Sequence, residues 1–219
     1  MIPLRDSTRR TSFPYLTVGL ISINLLVFLY QLSLPGRELD VMIYTFGLTP
    51  SLVSQTSFTP LAFIPFITSM FLHAGWLHLI GNMWTLWLFG DNLEDTMGRF
   101  RFIVFYLICG LVAGITHYTI NPMSEVPVIG ASGAIAGVMG AYFLMFRNAR
   151  VLTFVPPIFI FELPAWIFLG FWALSQVWSG ATELLTSNGG QIAVWAHVGG
   201  FIAGMIIYRY FLKEECRIE

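Results

Sequence analysis

The chain has 219 residues and a formal net charge of −1; 56% of residues are hydrophobic and 11% are charged, with a mean hydropathy of +0.74. A soluble domain carries about 25% charge, so this composition excludes a domain wetted on all sides and points to one polytopic membrane domain, residues 1–219 with a core at about 15–212. The near-neutral balance argues against a nucleic-acid partner, and two cysteines, Cys109 and Cys216, without metal or redox spacing argue against a zinc site or a disulfide framework.

In chain order, MIPLRDSTRR is a charged segment followed by an apolar stretch, about Tyr15 to Leu34. That stretch is longer than a signal-peptide core and reads as a retained first membrane helix. Residues 35–70 mix prolines, serines and threonines with apolar residues and are expected at the membrane interface rather than across it. Further helices are predicted over about Trp76 to Leu93, Phe100 to Ile120, Ser132 to Phe146, Phe159 to Leu185 and Ile192 to Phe211. The expected fold class is therefore an all-α membrane protein, a compact six-transmembrane-helix bundle.

Basic residues set the orientation. Arg5, Arg9, Arg10, Arg99, Arg101, Arg147, Arg150, Arg209, Lys213 and Arg217 all fall on one side of a six-span layout, and Arg37 alone falls on the other. Both termini are then expected in the cytoplasm, with loops near 35–70, 121–131 and 186–191 outside. The tryptophans, Trp172 and Trp178 among them, read as interfacial anchors or lipid contacts. His73 and His117 read as structural.

Polar groups at membrane depth are functional candidates by default. Residues 130–140 read GASGAIAGVMG, with one hydroxyl, Ser132, at the mouth of a glycine-lined helix. Ser132, Ala136 and Gly140 share a face, and so do His197, Gly200 and Gly204 on the last helix. Small residues let two backbones approach, so these helices are expected to touch with Ser132 and His197 on the contact. His78 and Asn82, four apart, share a face of the second helix. Each alone reads best as an interhelical hydrogen bond of about 0.6–2 kcal/mol; together they can aim two N–H donors at one point, as an oxyanion requires. At 1.5 Å per residue, Ser132 lies about 22 Å above Arg147, His197 about 18 Å above Arg209, and Asn82 and His78 about 18 and 24 Å above Glu94. Hydroxyl, imidazole and amide thus converge at one level. A serine needs a base to become a nucleophile, and His197 is the base within reach. Glu162 lies near the cytoplasmic end of its helix; Glu183 is not excluded by depth. A Ser–His dyad is the expected machinery, with His78, Asn82 and the Ser132 backbone N–H as oxyanion donors.

These residues resemble the rhomboid family of intramembrane serine proteases, in its prokaryotic six-helix form. Gly130-Ala131-Ser132-Gly133 matches the GxSG pattern, His78 and Asn82 match HxxxN, and Ala196, His197, Gly200 and Gly204 match AHxxGxxxG. Glu94 and Gly98 match an acidic-then-glycine pattern after the second helix, and the likeness covers roughly residues 60–205. The resemblance implies a bundle with an outward-opening aqueous cavity and cleavage of transmembrane segments of other membrane proteins. It implies Ser132 as nucleophile, His197 as base, Gly130 as part of the oxyanion region, and the fifth helix as a lateral gate. It implies no metal or cofactor, and an integral location in a lipid bilayer, most simply a prokaryotic plasma membrane. Some members place an aromatic residue four positions after the serine, stacked on the histidine; here that position is Ala136, so His197 must be held some other way. A non-catalytic relative that escorts membrane clients, or a transporter relay, are the competing readings. The first would dispense with Ser132 or His197, and the second expects ionisable residues along a whole path.

Overall fold

The computed structural model describes residues 1–56, 60–186 and 193–216. Among these the chain runs β1 (Ile2–Asp6), α1 (Tyr15–Ser33), α2 (Gly36–Phe46), α3 (Pro50–Gln55), α4 (Pro65–Thr68), α5 (Trp76–Met97), α6 (Arg99–Ile120), α7 (Ser132–Met145), β2 (Arg150–Val155), β3 (Phe159–Pro164), α8 (Ala165–Thr186) and α9 (Val194–Phe211). Short 3₁₀ turns occupy Pro60–Phe63, Ser69–Phe71 and Glu214–Cys216.

α7 is the centre. Every residue from Gly133 to Tyr142 is buried, because α6 and α9 pack on it directly while α5 and α8 flank it. Its glycines and alanines dictate that position. A Cβ on Gly200 would run into the carbonyl oxygen of Gly133, one on Gly204 into that of Gly137, and one on Gly140 into that of Phe201. On the α6 side, a Cβ on Gly133 would lie 2.6 Å from the Cβ of Ala113. The α7 and α9 backbones therefore touch, as small-residue helix faces allow where lipid gives no hydrophobic drive for association.

Buried polar groups pin the outer elements. The N-cap of α1 is Pro14, which makes no side-chain cap. Glu94 of α5 supplies the acceptors instead: its carboxylate, 3% exposed, receives the N–H of Leu16 at 2.9 Å, that of Thr17 at 2.7 Å and the Thr17 hydroxyl at 2.9 Å. The orphan amides and positive end of α1 are thereby satisfied by a negative charge. Gly98 then turns the chain from α5 into α6 with φ +80°, a region that favours glycine. At the other end of α1, the Gln31 side chain accepts from the His73 N–H at 3.0 Å and donates to the His73 carbonyl at 3.2 Å, fixing the approach to α5.

Two expectations are corrected. The fold is not wholly helical: β1, β2 and β3 form an antiparallel sheet in that order. Ile2 pairs with Phe154 and Asp6 with Val151, so the charged N-terminal segment is a strand with a partner. The fifth helix does not begin at Phe159. Phe159-Ile160-Phe161 is rich in strand formers and pairs with β2, Phe159 against Val155 and Pro164 against Arg150. α8 starts at Ala165, its first amides bonded to the carbonyls of Ala149 and Arg147 at 2.7 and 3.1 Å. The second helix also runs on to Met97, which brings Glu94 inside it. Residues 187–191 of the predicted 186–191 loop, the start of the last helix at Ile192 and Arg217 lie outside the described residues; residue 186 is the last of α8.

The protein is a helical membrane bundle. Among the described residues two helices, α1 and α6, are long and apolar enough to cross a membrane; α5 makes a third if the segment Leu61–Phe71, bent from it by 85°, is counted with it. α7 has only 14 residues, about 21 Å of rise. It can be short because neighbouring helices surround it.

Two stability predictions follow from this packing. Gly204→Val should destabilise the protein by about 1–3 kcal/mol or more, whereas Gly19→Ala, whose Cβ would meet nothing within 4 Å, should not lower the denaturation midpoint in micelles. Glu94→Ala should cost about 1.5–3 kcal/mol in the same measurement, the range for hydrogen bonds to a charged group.

Candidate active site

The residues before α7 are laid in place by backbone pairing. Leu48 and Val128 exchange both hydrogen bonds, at 3.0 and 2.8 Å, and the Gly130 N–H donates to the Ser69 carbonyl at 2.8 Å. Gly130 has φ +125°, again a glycine conformation, and a Cβ there would lie 2.6 Å from His78 Nε2 and 3.6 Å from Asn82 Nδ2. The chain at Gly130 thus runs directly against the two polar side chains of α5, and it then enters α7 at Ser132.

Ser132 is the first residue of α7, so its N–H has no acceptor four residues back within the helix, and the helix dipole leaves this end positive. Its hydroxyl lies 2.8 Å from His197 Nε2 on α9. The glycine contact described above fixes that distance. His78 Nδ1 faces the N–H of Ala74 at 3.5 Å, which leaves its Nε2 available as a donor on the side where Gly130 lies. Asn82 is 7% exposed, and its Nδ2 is buried with no hydrogen-bond partner among the described residues.

Ser132, His78 and His197 stand where two cavities meet. One, of about 340 Å³, lies between α5 and α8 and is lined by Leu77, Asn82, Thr85, Phe168 and Trp172 besides these three. The other, of about 470 Å³, lies under the segment 124–129 and reaches His117 on α6. His117 is buried and sits on the wall of this second cavity. All five residues singled out in the sequence, Ser132, His197, His78, Asn82 and Gly130, therefore lie around one point.

Three contributors escape sequence reading. His197 Nδ1 bonds to Gln176 Oε1 at 2.8 Å, so the partner of the histidine is an amide on α8 rather than Glu162 or Glu183. The Trp172 ring lies beside the His197 ring, centroids 5.9 Å apart and planes at 41°; this tryptophan is not merely a lipid anchor. Trp172 and Gln176 are four apart on one helix face, and a polar amide inside an apolar run was a signal available in the sequence. Met1 and Pro3 border the first cavity, where the Trp84 indole N–H donates to the Pro3 carbonyl at 2.6 Å. No sequence pattern announces that contact, because it depends on the β1–β2 pairing.

Comparison with known proteins identifies the family. A rhomboid domain profile matches residues 60–214. The rhomboid-type protein YdcA of Bacillus subtilis is 43% identical over 87 residues, 39% of this chain and 43% of that protein. Mitochondrial rhomboid protein 1 of Saccharomyces cerevisiae is 32% identical over 155 residues, 69% of this chain and 42% of the yeast protein. The human mitochondrial presenilin-associated rhomboid-like protein is 27% identical over 200 residues, 88% of this chain and 47% of the human one. Each match spans less than half the length of the relative. The rhomboid profile extends over most of the chain, from the bend before α5 through α9, and the chain belongs to the rhomboid family.

Proposed function

We propose that this protein is an intramembrane serine endopeptidase that cleaves transmembrane segments of other membrane proteins, using Ser132 and His197 as a catalytic dyad. The observation that carries this reading is the 2.8 Å contact between Ser132 Oγ and His197 Nε2 at the meeting of two cavities. His197 Nε2 takes the hydroxyl proton as Ser132 Oγ attacks the scissile carbonyl carbon. The carbonyl oxygen becomes an oxyanion, for which the His78 Nε2–H, the Asn82 amide and the Ser132 backbone N–H are donors. The tetrahedral species collapses, the C–N bond breaks, and the imidazolium returns its proton to the leaving amine. Water, deprotonated by His197, then hydrolyses the acyl-serine ester and frees the hydroxyl. The cavity between α5 and α8, walled by Leu77, Phe168 and Trp172, suits an apolar helix unwinding into the site. The second cavity, with polar groups at Ser124 and His117, suits water.

The chain as a whole is read as one membrane-embedded domain, residues 1–219, with six apolar helices, α1 and α5 to α9, traversing the bilayer. Ten basic residues on one side of that layout support cytoplasmic termini. The Bacillus relative favours a prokaryotic plasma membrane over a mitochondrial one.

Purified protein offered a model transmembrane substrate and, in parallel, a serine-reactive fluorophosphonate should cleave the one and be labelled by the other. Ser132→Ala and His197→Ala should each lower kcat by a factor on the order of 10⁴ or more and abolish labelling. Cleavage that survives in Ser132→Ala would overturn the assignment. Asn82→Ala should lower kcat by roughly 10²–10³ with little change in KM, as expected for a donor that binds the oxyanion and not the ground state.

A further inference from the structure

We propose that Gln176 is the positioning residue of this site, holding His197 in the one tautomer that can accept a proton from Ser132. The inference rests on the reading of His197 as the base.

A neutral imidazole carries a single N–H, and the partner of one nitrogen decides which nitrogen bears it. For Nε2 to accept from Ser132, Nδ1 must hold the hydrogen and must find an acceptor. Gln176 Oε1 lies 2.8 Å from Nδ1. A glutamine side chain turned the other way would present its NH₂ group and impose the wrong tautomer. The neighbouring hydroxyl settles the direction. Ser175 Oγ donates its hydrogen to the Trp172 carbonyl at 2.6 Å, so towards Gln176 it can only accept. Gln176 Nε2 supplies that hydrogen bond at 3.2 Å, which leaves Oε1 facing the histidine. The donors therefore run one way: Ser132 to His197, His197 to Gln176, Gln176 to Ser175, and Ser175 to the backbone of α8. The Trp172 ring, 5.9 Å from the imidazole, closes the side from which the ring could tilt.

In a Ser–His–Asp triad a carboxylate performs this service. An amide makes the same hydrogen bond without placing a charge in a low-dielectric site, where an unpaired carboxylate is costly. It also accounts for Ala136. No aromatic ring from α7 is needed when α8 holds the imidazole by a hydrogen bond on its edge and an indole beside it.

The test uses the full chain in detergent micelles with ¹⁵N-labelled histidine, with His197→Ala to assign the ring. Gln176→Met keeps the length of the side chain and removes the acceptor; Gln176→Glu restores an acceptor. In the wild type, the His197 signals should report hydrogen on Nδ1. Gln176→Met should lose that single tautomer and lower kcat on a transmembrane substrate about 10- to 100-fold, as loss of an orienting partner does, with KM unchanged. Gln176→Glu should recover the Nδ1–H signal and most of the lost kcat. Hydrogen on Nε2 in the wild type would overturn the proposal, as would a Gln176→Met protein with wild-type kcat, or one whose loss Gln176→Glu fails to rescue. The spectrum reports on Gln176 whether or not the protein cleaves anything. A wild type unreactive to fluorophosphonate would refute the protease reading, while its tautomer would still decide the role of Gln176.

Discussion

Everything at the site depends on how closely α7 and α9 can approach. A Cβ on Gly140 of α7, or on Gly200 or Gly204 of α9, would run into the facing backbone, so the seam leaves no room for one there. A serine side chain is short, and an imidazole reaches only a little further from its own Cα. Ser132 Oγ and His197 Nε2 can stand 2.8 Å apart only if the helices that carry them are in backbone contact. The glycines pay in backbone entropy for that contact, and burial of α7 on every side offsets the cost by packing.

The rest of the fold serves to bring a third helix to the same point. α5 must present His78 and Asn82 to the chain at Gly130, and it has no glycine seam with α7 to hold it there. Polar anchors do so instead. Glu94 binds α5 to the start of α1 at one end, and Gln31 of α1 grips the backbone at His73 just before α5 at the other. The Leu48–Val128 bridge and the Gly130–Ser69 bond tie the segment ahead of α7 to the segment ahead of α5. In a medium that cannot satisfy stray polar groups, each such bond is specific because its alternatives are poor.

α8 stands apart from this scaffold. It is introduced by the β2–β3 hairpin and packs along α9 and the end of α7, with a broad apolar face turned outward at Trp166, Phe171, Leu174 and Trp178. Yet it brings Trp172 and Gln176 to the imidazole. A movement of α8 away from α9 would widen the cavity beside Ser132 and, in the same motion, part His197 from Gln176. Access to the cavity and the His197–Gln176 contact are thus geometrically linked.

The apolar helices, their order and the residues gathered around Ser132 were legible in local sequence patterns. Helix length, small-residue spacing and polar groups stranded in apolar runs are local signals, and GASG, HLIGN and AHVGGFIAG carry them without help from the rest of the chain. The departures arose where the deciding interaction joins distant segments. MIPLRD is a strand only because Arg150–Val155 lies beside it, and Phe159–Pro164 left the predicted helix for the same sheet. Gln176 is the one side-chain amide of the apolar helix α8. Which face of α8 meets α9, and so whether that amide points to lipid or to His197, is set by packing between residues 21 positions apart, and no local pattern in the chain specifies it.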